Sequence, residues 1–352
     1  MHAIVPPYLL ARLAAAPVDR FPAAVAAARA TLALPRAYRP MPAHIDLSVD
    51  GDTLVLAASP DPDRRISDAL GREELPGVLI RSEGGAPTGD TAVDEAYDGL
   101  GATFDFLWQA FERIGLDAAG GPLNASVHYG RDYDNAFWDG SRMVFGDGDG
   151  EIFSGFTQSV SVIAHELGHG VIEHAGGLDY SGQSGALNES IADVIGALTE
   201  QHLRGQSAAE ATWLIGAGIF TDAVSGSALR SMAAPGTAYD DDVLGRDPQP
   251  AHMRDYVETS GDNGGVHINS GIPNKAFHLL ALALGGYAWE RAGTIWYRTL
   301  TSGTLSPASS FADFAAATID TAGREYGEES EEAAAVRTAW QGVGVTGDVA
   351  NS

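Results

Sequence analysis

The sequence predicts an α+β protein whose first half is rich in β-strands and whose second half is α-helical. Short apolar runs separated by Gly and Asp turns fill residues 66 to about 149, as is typical of strands. Beyond residue 176 the apolar residues recur at helical spacing almost throughout. The 352 residues, 45% of them hydrophobic, suffice for two buried cores. We therefore expect the boundary between the halves at Gly176-Gly177, near the end of a central helix.

Composition and charge exclude several classes of protein. The formal net charge is -26 and Lys275 is the only lysine, which argues against a broad basic face for nucleic acid or anionic membranes. No apolar run reaches the length of a membrane span. The chain has no cysteine, so any metal site must use His, Asp and Glu. The first residues lack the features of a secretory signal, so we expect export by another route, with a cytoplasmic protein as the alternative.

The first 65 residues predict a helical stretch followed by a linker. Residues 8–34 are rich in Ala and Leu at helical spacing, and Pro17 and Pro22 divide them into one or two short helices. Residues 36–65 are rich in Pro and Asp, with one expected strand at residues 53–57. We interpret this passage as a linker or processing region.

Local patterns place the elements of both halves. One long helix is expected at residues 91–114, and Asp147-Gly-Asp-Gly150 has the composition of a tight turn without the spacing of a calcium-binding loop. The expected strands of the first half are residues 77–80, 125–129 and 143–145. The expected helices of the second half are residues 187–203, 208–219, 273–284, 288–300, 309–326 and 331–341.

A metal-binding pattern lies at the centre of the chain. His165 and His169 are four residues apart, so on a helix both imidazoles leave the same face and can bind one metal ion. Glu166 lies beside them, where it can act on a metal-bound water. Two imidazoles and a carboxylate suit zinc and leave a fourth position for water. The pattern alone would also fit a histidine-bearing amphipathic helix, so its context must decide.

A third ligand is available on the next predicted helix. Glu189 can bind the metal there, and Asp193 lies one turn further along the same face. Asp193 can accept a hydrogen bond from a ligand imidazole and so fix its tautomer. A Glu and an Asp at this spacing can also be solvated helix surface, but two helices with these sets, joined by a Gly-rich turn, are what a His-His-Glu site needs.

Several blocks of the sequence resemble the thermolysin family of zinc endopeptidases, and they extend from about Ile66 to Val345. The blocks are Asn135-Ala-Phe-Trp-Asp-Gly140, Met143-Val-Phe-Gly-Asp-Gly-Asp-Gly150, His165 to His169, Asn188-Glu-Ser-Ile-Ala-Asp193, Leu229-Arg-Ser-Met232 and Asp262-Asn-Gly-Gly-Val-His-Ile-Asn-Ser-Gly271. The resemblance implies a thermolysin-like two-domain metalloprotease, with the zinc helix between a β-rich and an α-helical domain. The implied domains are residues 66–175 and 176–352.

The same resemblance implies a role for each residue of the site. Glu166 matches the general base that moves a proton from the zinc-bound water to the leaving amine, while His267 and Tyr180 match the donors to the developing oxyanion. The implied zinc ligands are His165, His169 and Glu189. The residues that would support these groups are Asn188, Asp193 and Asp262, of which Asp262 orients His267.

Substrate-binding residues follow from the resemblance in the same way. Asn135 and the backbone of Ala136 resemble the edge that pairs with an extended peptide, and Arg230 would hold the carbonyl on the leaving side. The residues that fall where the family has its apolar specificity pocket are Phe153, Val162 and Leu229. This pocket implies cleavage before a bulky hydrophobic residue of a protein or peptide substrate.

The sequence departs from the secreted thermolysins in its expected calcium site and central helix. Those enzymes bind calcium next to the zinc site, and Glu200 matches one ligand, but Ser161 stands where an aspartate is usual. Calcium therefore stays possible without a full ligand set. Gly168 and Gly170 lie inside the central helix, each costing about 0.5–1 kcal/mol relative to alanine. We expect close packing there rather than hinge bending.

The leader is the other departure, because only some 65 residues precede the part that resembles the enzymes. Pro6-Pro7-Tyr8-Leu9 is similar to the short-propeptide, protealysin-like branch of the family. We expect residues 1–65 to be a removable inhibitory segment and linker, with the Pro-Pro stretch near the cleft. A loosely docked helix without regulatory meaning is the alternative.

The sequence thus predicts a zinc endopeptidase made as a self-processed zymogen, and we expect a monomer. A zinc aminopeptidase shares the ligand pattern, but it would need acidic residues to hold a free N-terminus, and none is identifiable in the sequence. A metal-binding module without turnover is the alternative from another class. The presence of Glu166, Tyr180 and His267 argues against it.

Overall fold

A β-rich half and a helical half make up the fold, as the sequence predicts. The computed structural model describes residues 3–34, 47–50, 53–56 and 61–345. Within these ranges no helix is both long and apolar enough to span a lipid bilayer. The expected linker and the last seven residues lie largely outside the described ranges.

Two short helices form the N-terminal segment, as predicted. Helix α1 covers Pro7–Ala14 and α2 covers Pro22–Ala33, and each begins with a proline at its first position. Proline fits there because the first N–H groups of a helix have no partner within the helix. A hairpin of β1 (Leu47–Asp50) and β2 (Thr53–Leu56) follows, which confirms the expected strand over its described residues. Residue 57 of that expected strand lies outside the described ranges.

A mixed five-stranded sheet forms the core of the first half. Its strands are β3 (Arg64–Asp68), β4 (Val78–Ser82), β5 (Leu123–Val127), β6 (Ala136–Trp138) and β7 (Met143–Phe145). The order across the sheet is β4-β3-β5-β7-β6, with parallel pairs in the middle and an antiparallel pair at each edge. The three strands predicted for this half are confirmed. The strands β3 and β6 were not predicted, and β6 has only three residues, too few for an alternating pattern.

The long predicted helix of the first half is α3, Thr91–Phe111. The Asp90 side chain caps its start by accepting a hydrogen bond from Val93 N at 3.2 Å. The helix ends where Glu112 takes a left-handed conformation, with φ of 54°. Its buried face includes Leu100, Phe104 and Leu107, which belong to the same apolar cluster as the sheet. The helix therefore stabilises the sheet that carries β6, the strand beside the candidate site.

Helices α4 (Val160–His174) and α5 (Gly182–Arg204) pack together at glycine positions. A Cβ on Gly168 would lie 3.0 Å from Ala192 Cα, and one on Gly196 would lie 2.5 Å from Ser161 O. A Cβ on Gly170 would meet side chains instead, including Trp138 at 3.3 Å. Close packing, rather than a hinge, therefore explains the glycines of the central helix. It lets the backbones of the two ligand-bearing helices approach each other.

We expect Gly196→Ala to destabilise the protein by about 1–3 kcal/mol, because the new methyl group meets a backbone oxygen that cannot rotate away. The same Cβ would lie 3.4 Å from His165 Cβ, so zinc affinity should fall as well. Denaturant unfolding and bound zinc per chain measure the two effects. Gly323→Ala is the matched control, because its Cβ would meet only Glu328 at 3.6 Å. That change should stabilise the protein by about 0.5–1 kcal/mol. Equal stability of the two variants would contradict the packing argument.

Five further helices form the second half. They are α6 (Asp262–Asn269), α7 (Gly271–Leu284), α8 (Ala292–Thr301), α9 (Phe311–Tyr326) and α10 (Glu331–Gly342). The predicted helices that correspond to α5 and α7 to α10 are confirmed, whereas α6 was not predicted. The indole rings of Trp296 and Trp340 stack at 5.7 Å between α8 and α10. Helix α9 begins with a capping box of Ser310 and Asp313.

The helix predicted at residues 208–219 is wrong. This stretch forms turns and β8 (Leu214–Ile215), which pairs with β9 (Arg230–Ser231). Trp213 has φ of 58°, and Gly216 has a positive φ as well, so no helix can continue through them. The apolar residues have helical spacing, but Ala208, Trp213, Ile215 and Ile219 are buried from turns and from the short strand β8. A second small hairpin, β10 (Asp240–Asp241) with β11 (Gly245–Arg246), also lies in this part of the chain.

Candidate active site

Helices α4 and α5 bring the three expected ligand residues together. The ligand atoms of His165, His169 and Glu189 all lie within 4.8 Å of one another, and the three side chains are buried. The two Nε2 atoms are 3.1 Å apart, and each lies 3.5–3.6 Å from an oxygen of Glu189. Such a group is expected of helical residues one turn apart that face a second helix.

Hydrogen bonds on the far side of both imidazoles fix their tautomers. Nδ1 of His165 lies 2.7 Å from Asp193 Oδ1, and Nδ1 of His169 lies 2.7 Å from Asn188 Oδ1. Because Asn188 Nδ2 donates to Leu178 O, its Oδ1 faces the imidazole. Both partners are acceptors, so each Nδ1 carries the proton and each Nε2 presents a lone pair. Burial lowers the pKa of His165 to about 4 and that of His169 to about 3, so both are neutral near pH 7.

The donor set fits a zinc ion. Two imidazole lone pairs and a carboxylate converge on one point, and like electron pairs this close need a cation between them. Oε2 of Glu189 is buried and has no hydrogen-bond partner among the described residues, as expected of an atom that serves a metal. Zinc would therefore be held by His165, His169 and Glu189, with a position left for water.

Asp193 links the metal site to Arg230. The guanidinium of Arg230 donates from Nε and Nη2 to the two oxygens of Asp193, at 2.9 and 2.7 Å. Asn274 Nδ2 adds a hydrogen bond to the same carboxylate at 2.8 Å. Burial alone would raise the pKa of Asp193, but the positive charge of Arg230 and the hydrogen bonds from His165 and Arg230 hold it well below its ordinary value. The carboxylate therefore stays ionised and can orient the imidazole of His165.

Glu166 is fully buried next to the metal ligands, and strand β6 holds it. The backbone N–H of Trp138 donates to Glu166 Oε2 at 2.9 Å. The indole of Trp138 is fixed in turn by Glu173, because its Nε1 donates to Glu173 Oε2 at 3.3 Å. Nothing in the sequence predicts this support. A backbone donor has no residue signature, although Trp138 lies in the Asn-Ala-Phe-Trp block that the resemblance singled out.

His267 and Tyr180 lie beside the carboxylate of Glu189. His267 is on α6, and its Nε2 is 3.3 Å from Tyr180 OH and 3.6 Å from Glu189 Oε1. Asp262 receives hydrogen bonds from both Nδ1 and the backbone N–H of His267, at 2.6 and 3.0 Å. Asp262, Asn263 and the two glycines after them are all left-handed, a conformation that favours Gly, Asn and Asp. This irregular first turn aims the Asp262 carboxylate at the imidazole.

The protonation of His267 differs from that of the two ligand histidines. Burial alone would lower its pKa, but the charges of Glu189 and Asp262 raise it above the ordinary value. Both ring nitrogens also face acceptors, since Nδ1 lies against Asp262 and Nε2 lies 3.0 Å from the carbonyl oxygen of Ala3. A doubly protonated ring can donate to both. His267 is therefore suited to donate a hydrogen bond to a carbonyl oxygen in the groove.

The N-terminal segment of the chain itself fills that groove. Ile4 N donates to Ala136 O at 3.1 Å, on the edge strand β6. Arg230 Nη1 donates to Ile4 O at 3.1 Å. Asn135 makes two hydrogen bonds with Val5, accepting from its N at 2.9 Å and donating to its O at 3.1 Å. Ala3, Ile4 and Val5 are buried. The expected Pro-Pro stretch comes directly after the residues that occupy the groove.

Comparison with known proteins agrees with this geometry. The model of the thermolysin metallopeptidase catalytic domain matches residues 64–173, and that of the thermolysin metallopeptidase alpha-helical domain matches residues 176–345. The chain belongs to the thermolysin family of metallopeptidases. The expected fold class and family are thereby confirmed, and the chain is a metalloprotease with a zinc-type ligand group.

Similar proteins from several bacteria support the same assignment. An extracellular metalloprotease of Pectobacterium carotovorum subsp. carotovorum is 54% identical over 282 residues, covering 80% of this chain and 81% of its own. A thermolysin of Bacillus sp. (strain EA1) is 37% identical over 288 residues, 79% of this chain and 50% of its own. The solved precursor of protealysin from Serratia proteamaculans has a TM-score of 0.88 and 49% identity, covering 98% of this chain and 100% of its own. This last likeness includes the N-terminal segment.

The three apolar residues that the thermolysin resemblance assigns to a specificity pocket come from three separate elements. Val162 lies on α4, Leu229 directly precedes β9, and Phe153 forms a bridge to Phe220. All three are buried in the same continuous cluster as Ile4.

The place of the usual thermolysin calcium ion has other contacts. Ser161 Oγ accepts a hydrogen bond from Gly216 N at 3.1 Å and lies 3.0 Å from Ser159 Oγ. Glu200 forms an ion pair with Arg204 at 2.7 Å. In the turn at residues 147–150, Asp147 Oδ1 lies 2.9 Å from Nδ1 of His128.

Proposed function

We propose that this chain is the self-inhibited precursor of a zinc endopeptidase that cuts peptide bonds before bulky hydrophobic residues. The observation that carries the proposal is the position of Ala3, Ile4 and Val5, which lie in the groove as an extended peptide held through its backbone. Backbone hydrogen bonds with an edge strand are the general mode by which a sheet recognises an extended peptide. The same donors and acceptors would serve any substrate backbone.

Hydrolysis would be divided among the residues of the site. A bound zinc ion would activate a water molecule and polarise the scissile carbonyl. Glu166 would take a proton from that water and pass it to the leaving nitrogen. His267 and Tyr180 would donate hydrogen bonds to the oxyanion, each worth about 3 kcal/mol in comparable sites. Asp262 would hold His267 in place, and Asp193 and Asn188 would orient the two ligand imidazoles.

The specificity would come from an apolar pocket at the position of Ile4. Its side chain is fully buried and belongs to the same apolar cluster as Phe153, Val162 and Leu229. Filling such a pocket with a bulky aliphatic side chain contributes about 1.5–3 kcal/mol relative to leaving it in water. A charged side chain would lose its hydration there without a partner. Cleavage before Leu, Ile or Phe follows, whereas cleavage before Asp would be strongly disfavoured.

The inhibitor would be residues 1–65, comprising the docked segment and the linker, while residues 66–175 and 176–352 form the two catalytic domains. Glu151 supports this assignment, because its Oε2 caps α2 by accepting from Ala23 N and Ala24 N at 2.9 and 3.0 Å. Arg12 Nε donates to Val243 O at 2.9 Å on the other catalytic domain. The segment thus contacts both domains. The protealysin match is to a precursor, which is consistent with a segment that is later removed.

The contacts of Ser161 and Glu200 bear on the expected calcium site. Ser161 and Glu200 already have partners in Gly216 and Arg204, and we propose that these contacts take the place of the usual calcium ion. Thermal stability should then be the same with and without added calcium.

The Pectobacterium relative is named as extracellular, and we propose that this chain is exported too. It would act as a monomer on protein or peptide substrates.

An assay on casein and on matched peptides tests the proposed function. The processed enzyme should hydrolyse casein, lose activity with the zinc chelator phenanthroline, and regain it when zinc is added back. Two peptides that differ only in Leu or Asp after the scissile bond test the specificity. A zinc-loaded, processed enzyme that cuts neither casein nor the Leu peptide would refute the proposal. Equal rates on the two peptides would refute the assigned specificity alone.

A further inference from the structure

We propose that the peptide bond between Ala3 and Ile4 is itself a substrate of this active site, so that the zinc-loaded precursor cuts its own chain directly before Ile4. The inference rests on the proposed endopeptidase function and adds a first substrate, the chain itself. The resting precursor would then begin at Ile4 and would still be inhibited.

The groove holds this one bond in the position of a scissile bond. The carbonyl oxygen of Ala3 faces Nε2 of His267 at 3.0 Å, while Ile4 N, the nitrogen of the same peptide bond, donates to Ala136 O at 3.1 Å. Tyr180 OH, which donates to Glu189 Oε1, lies 3.3 Å from the same Nε2, so the second expected oxyanion donor is close to the imidazole that contacts the Ala3 carbonyl. No other peptide bond of the described segment has its oxygen on His267 and its nitrogen on β6.

Strand β6 binds both the nitrogen of this bond and the proposed proton acceptor, Glu166. Ala136 accepts the hydrogen bond from Ile4 N, and Trp138, two residues further along the strand, donates its N–H to Glu166 Oε2. Glu166 is therefore anchored to the strand that anchors the scissile nitrogen. This arrangement suits the transfer of a proton to that nitrogen.

The residue after the bond satisfies the specificity proposed above. Ile4 is a bulky aliphatic residue and is fully buried in the apolar cluster. Its carbonyl receives a hydrogen bond from Arg230, and the next residue, Val5, has both backbone groups on Asn135. A segment that blocked the groove in the reverse direction, or with a polar residue in the pocket, would not be a substrate. The segment here runs through the groove in the direction of a substrate, and Ile4 places an aliphatic side chain in the apolar cluster.

Hydrolysis of the bond between Ala3 and Ile4 would consume one water molecule. The oxygen of a water molecule forms a bond to the Ala3 carbonyl carbon, Glu166 takes one proton of that water, and the bond between Ala3 C and Ile4 N breaks as the proton reaches the nitrogen. The products are a peptide that ends at Ala3 and a chain that begins at Ile4. The carboxylic acid of Ala3 then loses its proton, and the new amine of Ile4 gains one. No other reactant is needed.

The contacts on the two sides of the bond explain why the cut would not release the inhibitor. On the amino side, the described chain has the hydrogen bond of Ala3 O with His267 and the packing of the small Ala3 side chain in an apolar cluster. On the other side lie the contacts of Ile4 and Val5, then the buried face of α1 with Leu9, Leu10 and Leu13. The peptide that ends at Ala3 can diffuse away and be diluted, so the cut is not reversed. The rest stays in the groove, because it remains bound to both domains.

The test follows the mass of the full-length chain. The protein is purified free of metal, zinc is added, and intact mass and N-terminal sequence are recorded over time at several protein concentrations. The expected result is quantitative loss of Met1-His2-Ala3, with Ile4 as the new first residue and Met-His-Ala in the low-mass fraction. The rate should not depend on protein concentration, because each chain cuts itself. If the linker is cut as well, the mass of the released fragment gives the same information.

Two comparisons make the outcome decisive. Glu166→Gln should keep Met1 after zinc addition, which separates self-cleavage from trimming by the expression host. Casein hydrolysis by the processed wild type is measured on the same preparation. A wild type that binds zinc, yields an active enzyme on casein and still begins at Met1 overturns this inference but not the proposed function. An enzyme inactive on casein overturns the proposed function, and trimming of Glu166→Gln at the wild-type rate overturns the inference.

Discussion

Glu166→Gln is expected to leave zinc binding intact while lowering the hydrolysis of casein by about 10²- to 10⁴-fold. The substitution keeps the size of the side chain and removes its ability to accept a proton. Trp138 N can still donate to the amide oxygen of a glutamine, so the side chain should stay in place. The ligand atoms of His165, His169 and Glu189 do not involve this residue, so bound zinc per chain should not change. Metal analysis and kcat/KM on the same sample measure both properties.

The control for this prediction is the same chemical change at a site away from the groove. Glu325 lies exposed on α9, and Glu325→Gln should keep wild-type activity and zinc content. Loss of zinc from Glu166→Gln would mean that the residue supports the metal rather than the chemistry. Activity within a few-fold of the wild type would show that another group accepts the proton, and the mechanism proposed here would fail.

Ile4→Asp is expected to have the second large effect, converting an inert precursor into an active one. The substitution removes an aliphatic side chain from the apolar cluster and would place a carboxylate there without a partner. Together these changes cost several kcal/mol, so the fraction of chains with an open groove should rise by about 10²-fold or more. The measurement is the initial rate, on a short fluorogenic peptide, of a zinc-loaded precursor whose linker is intact.

Ile4→Val is the matched control, because it keeps the aliphatic character and removes only one methylene group. Its cost should be about 0.5–1.5 kcal/mol, so the precursor should stay nearly inert. A detached peptide of residues 3–34 with the same substitutions provides a second measurement, since its inhibition of the mature enzyme should weaken in the same order. An Ile4→Asp precursor as inactive as the wild type would show that the helices alone keep substrates out.

Much of the catalytic constellation could be predicted because it depends on helical spacing. His165 and His169 lie one turn apart on any helix, and Glu189 and Asp193 do so on the next, so only the meeting of two helices had to be inferred. The roles of His267, Tyr180 and Asp262 came from the resemblance alone. Tyr180 is distant in sequence from the other two, and a left-handed first turn in α6 brings Asp262 to His267. No local pattern predicts that geometry.

Some features could not be predicted from the sequence. They either depend on backbone atoms or lie where the spacing of apolar residues is misleading. The support of Glu166 comes from a backbone N–H, and the docking of Ala3, Ile4 and Val5 consists mainly of backbone hydrogen bonds. Such contacts place no demand on residue type. The false helix at residues 208–219 arose because its apolar residues have helical spacing, although the positive φ of Trp213 excludes a helix. Tertiary packing decided its conformation.

The capping of α2 by Glu151 has a consequence for how the enzyme would be switched on. While Glu151 and α2 belong to one uncut chain, binding of the segment to the groove is intramolecular. Its effective concentration is then fixed, and diluting the protein does not change it. A cut within residues 35–60 would turn the same contacts into a bimolecular equilibrium. The released peptide would then rebind in a crowded compartment and be lost in a large one. Entry into a dilute medium would itself complete activation, without any second protease or chemical signal.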